Sequence, residues 1–282
     1  MDPRLEIDYG ELPQPSRLTT LIARAQSAPH NWFGRKLAKF CRSRVLSGLD
    51  QPLDVEVEGI RMRVLLKDNN SERRYVFMPW LFDAEERELI AERLPPEGVF
   101  VDIGANVGIY SLWAARHLGA AGTLVAFEPN PPAYKRLSFN LRANQELAAG
   151  DWPTVHCLQK GVSEREGEFS LYLDPTNLGG SSLVMQADKG TQTKVLCVPL
   201  KEELERLSIN TVHALKIDIE GAEDIALIPF FETAPDHLFP KLIVMERTHQ
   251  DTQSDLDECL KSKGYKILNL TRMNAVYSLD KI

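Results

Sequence analysis

The sequence contains few cysteines and lacks a long apolar segment. Its four cysteines, Cys41, Cys157, Cys197 and Cys259, form no C-x-x-C pair and have no histidine at ligand spacing, which argues against a zinc site and against a disulfide framework. The apolar runs, such as 226–231, are far shorter than the ~20 residues that cross a bilayer. We therefore expect reduced, mostly buried cysteines, no metal site and no transmembrane helix.

The chain also lacks an excess of basic residues. Its 282 residues contain 33 Lys and Arg against 40 Asp and Glu, which gives a net charge of −7. A field of that sign repels the phosphates of nucleic acid, so nucleic acid is not the expected partner. The first six residues offer neither a basic leader nor an apolar core of a secretory signal, so the expected location is cytoplasmic.

Three segments are predicted along the chain. Residues 1–52 form a helical extension, residues 53–96 a β lead-in followed by a helix, and residues 97–282 the main domain. Asp83, followed three positions later by Glu86, has the spacing of a capping box and predicts the start of the lead-in helix. Short β-like runs precede it at 55–57, 60–66 and 75–78.

Residues 31–45 have the pattern of a basic amphipathic helix. Five apolar residues fall roughly on one helical face: Trp32, Phe33, Leu37, Phe40 and Cys41. Five basic residues surround them: Arg35, Lys36, Lys39, Arg42 and Arg44. The favoured interpretation is a helix that packs this apolar face on the main domain. The alternative is a helix that lies on an anionic membrane or contacts a lipid-linked substrate.

From residue 97 onward strands alternate with helices. Strands are predicted at 99–103, 123–127, 155–158, 168–173, 194–198, 214–219, 242–245, 265–270 and 275–279. Helices are predicted at 109–117, 132–143, 201–207, 223–227 and 256–262. Continuous apolar strands that alternate with helices indicate an α/β fold, with a mostly parallel sheet covered on both faces, and the final pair of strands suits an antiparallel edge.

The turn after the first of these strands has the features of a ligand-binding loop. Gly104 and Gly108 permit a tight turn and a close backbone approach, and the helix that follows directs free N–H groups at the ligand. Glu128 ends the next strand, where a carboxylate can accept both hydroxyls of a ribose. The dinucleotide pattern G-x-G-x-x-G is not matched, because Asn106 stands at the middle glycine. Asp102, in an otherwise apolar strand, must have a donor or a cation nearby.

Three strings together resemble the FkbM family of S-adenosylmethionine-dependent methyltransferases. They are VFVDIGANVGIYS at 99–111, VAFEPNP at 125–131 and LKIDIEGAE at 215–223. The similarity covers residues 53–279 and leaves the first 50 residues outside it. It implies a class I methyltransferase (Rossmann-like) sheet of seven strands with the last one antiparallel, and S-adenosyl-L-methionine as the cofactor.

The resemblance also implies roles for individual residues. Ser111 would lie near the cofactor carboxylate, Glu128 would hold the ribose hydroxyls, and Val162 and Ser163 would border the adenine. The loop around the methionine part would comprise Asp102, Gly104, Asn106 and Gly108.

The residues after the fourth parallel strand indicate the chemistry of the acceptor. Asn-Pro-Pro-Ala at 130–133 is similar to the amide motif of amino-methyltransferases, but it follows the second strand, where its prolines predict only a helix start. The fourth strand instead ends in an acidic stretch, 216–223, which favours a hydroxyl acceptor that needs a general base.

Several residues are candidates for that base. Strand alternation places Asp218 and Glu220 on one face together with Lys216. Asp218 is the first candidate and Glu220 follows, although either could instead bind substrate hydroxyls or a divalent cation. His249 is a further candidate and equally suits a surface loop. Glu223 is interpreted as a complement to the N-terminus of its own helix.

The predicted activity is O-methylation of a hydroxyl on a sugar, glycolipid or polyketide-type natural product, so a small-molecule or glycan acceptor is expected. The loop 178–182 is a predicted acceptor contact or a solvated turn. Alternatives are an N-methyltransferase acting on RNA or protein, a non-catalytic scaffold that binds the cofactor, and a nicotinamide-dependent dehydrogenase. The sequence leaves the acceptor and the oligomeric state open.

Overall fold

The computed structural model describes residues 3–148, 150–174, 177–183, 191–247 and 255–279. Two helices and a β-hairpin open the described chain, followed by two further helices. In order, these are α1 (Ser16–Gln26), α2 (Trp32–Gly48), β1 (Leu53–Val57), β2 (Ile60–Val64), α3 (Asn70–Phe77) and α4 (Ala84–Ala91).

Helix α2 is oriented differently from the favoured prediction. Its buried side is formed by Gly34, Ala38, Cys41 and Val45, whereas Trp32, Phe33, Leu37 and Phe40 are exposed. The prediction that the apolar face packs on the main domain was therefore wrong for four of its five residues. The buried side is formed by small or medium side chains, and at Gly34 a Cβ would lie only 1.7 Å from the carbonyl oxygen of Pro29 in the loop before the helix.

The run at 75–78, predicted to be a strand, is the last turn of α3 and the residue after it. Asn69 begins this helix: its side-chain oxygen accepts a hydrogen bond from the backbone N–H of Glu72 at 3.1 Å. Tyr75, Val76 and Phe77 are buried. A short apolar run fits a buried helical turn as well as a strand, so its periodicity could not distinguish the two.

The capping box predicted at Asp83 is also wrong, although α4 begins at the next residue. Asp83 adopts a left-handed conformation with φ 44° and makes no side-chain cap. Its carboxylate instead accepts a hydrogen bond from the hydroxyl of Tyr110 at 3.2 Å. The Asp83 carboxylate therefore contacts a distant residue of the chain instead of capping its own helix.

The main domain alternates strands and helices as predicted. Its elements are β3 (Val99–Ile103), α5 (Ile109–His117), β4 (Thr123–Phe127), α6 (Pro131–Gln145), β5 (Thr154–Leu158), β6 (Gly161–Val162), β7 (Gly167–Leu173), β8 (Thr191–Val198), α7 (Leu200–Arg206), β9 (Ala214–Ile217), α8 (Glu223–Thr233), β10 (Leu242–Glu246), α9 (Asp255–Ser262), β11 (Lys266–Leu270) and β12 (Asn274–Ser278).

Seven of these strands form the central sheet, in the order β11-β12-β10-β9-β3-β4-β5. The strands from β10 to β5 pair in parallel, and β12 lies between β10 and β11, antiparallel to both. This is the seven-stranded arrangement, with an antiparallel last strand, that the resemblance implies. The predicted fold class is confirmed. Strands β6, β8 and β7 form a separate small sheet.

Two boundaries differ from the prediction, and the first of them affects the cleft. Strand β9 ends at Ile217 rather than at residue 219, so the acidic residues lie in the turn beyond it. Helix α8 continues through Pro229 to Thr233, well past its predicted end at residue 227. The proline interrupts the backbone hydrogen bonding of this helix without ending it.

Apolar layers cover both faces of the sheet. One layer joins the N-terminal helices and the hairpin to α5 and α6, and the other is formed by α7, α8 and α9. Two asparagines of α6 fix the hairpin: Asn140 accepts from the N–H of Arg63 at 2.8 Å and Asn144 from that of Arg61 at 2.9 Å. The division into segments at residues 53 and 97 remains a prediction.

All four cysteines are free thiols, of which Cys41 and Cys197 are buried and Cys157 and Cys259 half-buried. Within the described ranges, no helix combines the length and the apolar character needed to span a membrane.

Candidate functional site

A cavity of about 490 Å³ lies at the carboxyl ends of β3, β4, β9 and β10. Its lining includes the loop 104–107, Glu128, Asp218 and Glu246. Ligands of open α/β sheets bind at this edge, and sites for small molecules have volumes of about 300–1,000 Å³. The cavity therefore has the position and size of a small-molecule site.

The glycine loop is shaped by close backbone contact between β3 and β9. Gly104 has φ +76°, and a Cβ at this position would lie 2.0 Å from the carbonyl oxygen of Asp218. Gly108 has φ +95°, and its Cβ would meet Leu137 at 2.6 Å. Asn106 adopts φ 52° between them, a left-handed conformation that asparagine tolerates better than most residues. Helix α5 begins directly after Gly108, as predicted.

Asp102 lies beneath this loop and is fully buried. The hydroxyl of Ser111 donates to its Oδ2 at 2.6 Å, and Lys216 Nζ lies 3.8 Å from its Oδ1. Burial raises the pKa of the Asp102 carboxyl above its usual range, and the Lys216 ammonium acts in the opposite direction. Asp102 thus has the donor and the cation that the sequence requires. Ser111 is itself fully buried and is not among the cavity-lining residues, so its predicted place beside the cofactor carboxylate remains a prediction.

Lys216 was not singled out as a functional residue by the sequence analysis. Its ammonium donates to the carbonyl oxygen of Gly104 at 3.1 Å and lies 3.4 Å from Asp218 Oδ2. Burial disfavours this cation, but the Asp218 and Asp102 carboxylates outweigh that effect and hold its pKa above the usual range. The pairing register of β3 and β9 explains why Lys216 lies near Asp102, because the two residues are direct partners across this pair of strands.

Glu128 lines the cavity at the end of β4 and is only 6% exposed. Its Oε2 accepts from the backbone N–H of Asn106 at 2.7 Å, and its Oε1 accepts from that of Asn130 at 2.8 Å. Burial raises the pKa of Glu128 to about 7. The two amides fix this carboxylate between the loops that follow β3 and β4.

The predicted adenine side is partly assembled in the cavity. Val162 lines it, together with Leu171 and Leu183, which the sequence analysis did not identify. Ser163 is buried behind this wall, and its backbone N–H donates to the carbonyl oxygen of Val198 at 3.1 Å. In the described part of the chain its hydroxyl has no hydrogen-bond partner.

Three carboxyl groups converge on the other side of the cavity. One oxygen from each of Asp218, Glu220 and Glu246 lies within 4.8 Å of the other two. Glu246 was missed by the sequence analysis. It is the last residue of β10, directly after Met245, which pairs with Ile217 of β9, and a carboxylate at a strand end was the available signal.

Asp218 and Glu246 share a hydrogen bond and have opposite pKa shifts. Burial and the charge of Asp218 raise the pKa of Glu246 to about 9. Burial also acts against ionisation of Asp218, but the Lys216 ammonium and the hydrogen bond from Glu246 outweigh it and lower the pKa of Asp218. At neutral pH, Asp218 is therefore ionised and Glu246 is protonated.

Two further candidates are Glu223 and His249. Glu223 accepts a hydrogen bond from the backbone N–H of Ile219 at 3.0 Å. This contact stabilises the turn that leads into α8 and agrees with the structural interpretation of Glu223. His249 lies outside the described residues, so its role stays a prediction.

The loop 178–182 crosses the cavity. Leu178, Gly179 and Ser181 line it. The side-chain amide of Asn130 donates to the Ser181 hydroxyl at 3.2 Å, and the Ser182 hydroxyl donates to the carbonyl oxygen of Glu220 at 2.8 Å. The loop thus connects the two acidic sides of the cleft. Contact with the acceptor remains a prediction for it.

Three arginines also line the cavity and were not predicted as site residues. Arg42 comes from α2, and Arg73 and Arg74 come from α3. These helices belong to the N-terminal segments, far in sequence from the glycine loop. Only tertiary packing brings their positive charges to the cleft.

The structure confirms the interpretation of the Asn-Pro-Pro-Ala motif at 130–133 as the start of a helix. Its two prolines, Pro131 and Pro132, occupy the first turn of α6. The Asn130 amide is directed to the loop 178–182 rather than to the carboxyl cluster. The motif therefore starts a helix, as predicted.

Comparisons with known sequences identify a methyltransferase family. A family model described as the methyltransferase FkbM domain matches residues 102–267. Methyltransferase sdnD of Sordaria araneosa is 27% identical over 217 residues, which cover 67% of this chain and 80% of that protein. The hexuronic acid methyltransferase AglP of Haloferax volcanii is 27% identical over 135 residues, which cover 48% of this chain and 51% of that protein, so the match spans about half its length.

Among solved structures, the methyltransferase FkbM of Methylobacillus flagellatus is similar to this chain with a TM-score of 0.39 and 16% sequence identity. The match covers 75% of this chain and 56% of that chain.

Proposed function

The chain belongs to the FkbM family of methyltransferases and uses S-adenosylmethionine, and we propose that it methylates a hydroxyl group of a sugar, glycolipid or polyketide-type natural product. The family model covers more than half of the chain, including the glycine loop and both acidic strand ends. The single observation that supports a hydroxyl acceptor is the carboxyl pair formed by Asp218 and Glu246 at the cavity wall.

The residues that line the cavity fit S-adenosylmethionine. The tight turn at Gly104 leaves space that a side chain would occupy, and Glu128 offers a fixed carboxylate to the ribose hydroxyls. Val162 and Ser163 would form the adenine side, and Ser111 would act through its hydrogen bond to Asp102. The rest of the proposed cofactor site is the loop with Asp102, Gly104, Asn106 and Gly108. When bound, the cofactor supplies an electrophilic methyl group on a sulfonium.

The protein's own contribution to catalysis is orientation and proton transfer. A hydroxyl group is a weak nucleophile at neutral pH, and a positioned base accelerates its reaction by ~10²–10⁴. The Asp218 side chain is 38% exposed, whereas the Lys216 side chain that pairs with it is only 10% exposed. Asp218 therefore remains accessible from the cleft while Lys216 holds it in place.

Because Asp218 and Glu246 share a proton, they titrate as a pair, and the pair accepts the proton of the hydroxyl. Glu220 adds a third carboxyl group at the same wall and would bind a neighbouring hydroxyl of the acceptor. His249 stays a candidate for a role next to this pair.

The lining of the cavity contains six acidic and five basic residues, so its net charge does not select the acceptor, but three of the basic residues are arginines. Arg42, Arg73 and Arg74 line the cavity, and guanidinium groups bind carboxylates and phosphates well. The relative AglP is described as a hexuronic acid methyltransferase. We therefore favour an acidic sugar or another anionic small molecule over a neutral acceptor.

The test is incubation with cofactor that carries a labelled methyl group, together with a panel of acidic glycans, neutral glycans, polyketides and RNA. We expect label in the acidic glycans, and none in matched deoxy acceptors that lack the methylated hydroxyl. The labelled product should survive mild alkali, because ethers resist hydrolysis and esters do not. Label found only in RNA would contradict the acceptor class, and label released by alkali would contradict methylation of a hydroxyl.

A further inference from the structure

Helix α2 presents an unusually large apolar surface to solvent. Trp32 is 59% exposed, Phe33 71%, Leu37 41% and Phe40 54%. These four residues define the aromatic face of α2. Contiguous exposed aromatic side chains on one helix are a common feature of interaction surfaces.

The opposite side of α2 is anchored to the rest of the protein. Ala38, Cys41 and Val45 are completely or almost completely buried there and belong to the main apolar layer. The helix also begins with a cap, in which the Asn31 side chain accepts from the backbone N–H of Gly34 at 3.1 Å. Because this side is packed, the aromatic face cannot turn inward.

The chain segment that contains the aromatic face carries only positive charges. Residues 12–49 contain seven Lys and Arg and no Asp or Glu, although the whole chain has a net charge of −7. Lys36 Nζ lies 3.8 Å from the centre of the Trp32 ring, and the Arg44 guanidinium lies 5.4 Å from that of Phe40. Basic residues thus stand among the exposed rings.

We propose that the aromatic face of α2 binds the surface of membranes that contain anionic lipids. Aromatic rings prefer the headgroup region, where one side of the ring is apolar and the other is hydrated. Helices that lie in this region combine an apolar face with Lys and Arg, and anionic lipids attract these cations. Both features occur on this one helix.

The charge pattern disfavours a second copy of the chain as the occupant. Two α2 helices placed face to face would bring together two segments that are rich in cations and contain no acidic residue. Like charges in contact oppose such an association. An anionic bilayer has the complementary charge.

The helix that carries the proposed surface also contributes to the cleft. Arg42, on the same helix, lines the cavity next to Arg73 and Arg74. The proposal concerns binding only and does not depend on which atom receives the methyl group.

Flotation of the full chain with lipid vesicles tests the proposal. One set of vesicles contains phosphatidylcholine alone, and the other contains equal parts of phosphatidylcholine and phosphatidylglycerol. We expect binding to the mixed vesicles that is at least about tenfold stronger than binding to the neutral ones and that weakens at high salt.

Two double variants separate the apolar and the ionic contributions. Trp32→Ser with Phe40→Ser, and separately Lys36→Glu with Lys39→Glu, should each reduce binding to the mixed vesicles at least about tenfold. The matched controls are Ile267→Ser with Leu270→Ser, which removes comparably exposed apolar side chains, and Lys261→Glu with Lys266→Glu. Both controls should bind as the unmodified chain does.

Three results would overturn the proposal. The first is no flotation of the chain with the mixed vesicles. The second is equal binding by the aromatic-face variant and its control, both shown to be folded by circular dichroism. The third, by sedimentation, is a stable dimer that becomes monomeric in the aromatic-face variant, since this would identify a second copy as the occupant.

Discussion

The Lys216 ammonium donates a hydrogen bond to the carbonyl oxygen of Gly104 over 3.1 Å and so ties the end of β9 to the glycine loop that follows β3. The same cation lies 3.8 Å from a carboxylate oxygen of Asp102 and 3.4 Å from one of Asp218. One buried positive charge therefore serves the proposed cofactor loop and the proposed base at once.

Replacement of Lys216 by methionine should destabilise the protein by about 3–5 kcal/mol, because it leaves the buried Asp102 carboxylate without a nearby cation. Urea denaturation followed by circular dichroism measures this change. The double variant Lys216→Met with Asp102→Asn should recover a part of the loss, since the unpaired charge is then absent. A loss below about 1 kcal/mol in the single variant would contradict this view of the pair.

The substitution Gly104→Ala should lower the free energy of unfolding by about 3 kcal/mol or more. The substitution combines a left-handed φ with a Cβ that would lie 2.0 Å from a backbone oxygen. Gly150→Ala is the matched control: its φ of +98° is also left-handed, but a Cβ there has no atom within 4 Å. We expect the control to lose only about 1 kcal/mol. Equal unfolding free energies in the two variants would show that the contact at Gly104 relaxes freely.

Glu128→Ala should weaken the binding of S-adenosylmethionine by about 1.5–3 kcal/mol, the usual contribution of hydrogen bonds to a charged group. Isothermal titration calorimetry gives the affinity directly. Glu146→Ala, at an exposed position beyond the end of α6, serves as the control and should bind the cofactor normally. Unchanged affinity in the Glu128 variant would place the ribose elsewhere.

Cofactor binding should also depend on pH through Glu128. The pKa of this group is raised to about 7 from an ordinary value of 4.5. The stability that its proton gives the unligated protein is complete below pH 4.5 and is lost as the pH rises through 7. Because the ribose hydroxyls donate to the ionised form, affinity should fall about tenfold for each pH unit below the pKa.

Calorimetry at about pH 6 and about pH 8 measures this dependence, and proton release on binding should be detected at the lower pH. The same titrations on Glu128→Gln should show a flatter profile. A profile that is equally steep in both proteins would assign the titration to another group.

Asp218→Asn and Glu246→Gln should each lower kcat/KM by about 10²–10⁴ while they leave cofactor affinity almost unchanged. In the unmodified chain the rate should also change as Glu246 loses its proton near its pKa of about 9, and this alkaline limb should be absent from Glu246→Gln. Steady-state rates with labelled cofactor across pH provide the test. The surface variant Glu258→Gln is the control, and normal turnover in Asp218→Asn would exclude Asp218 as the base.

Much of the cofactor side could be predicted because its signals are local in the chain. Strand β3 is apolar apart from Asp102 and is followed directly by Gly104, and β4 is a mostly apolar run followed by Glu128 and Pro129, so the sequence predicted the ends of both strands correctly. The parallel arrangement then brings Asp102, Gly104 and Glu128 to one edge of the sheet. The spacing of these residues within a single βαβ unit was therefore sufficient to predict that they lie together.

The acceptor side was harder to predict because it depends on contacts between distant segments. Glu246 reaches Asp218 only through the register of β10 on β9. Arg42 and Arg74 reach the cavity only after the N-terminal helices pack on the sheet. Helix periodicity also failed to identify the buried side of α2, because small residues such as Ala38 pack there instead of the aromatic ones.

The contact between Gly104 and the carbonyl oxygen of Asp218 leaves almost no free space between the turn proposed to hold the cofactor and the turn proposed to face the acceptor. A chain that changed its acceptor by reshaping the turn after β9 would displace the donor turn as well. Divergence toward new acceptors is therefore expected to proceed through the arginines of the N-terminal helices, which line the cavity away from that junction.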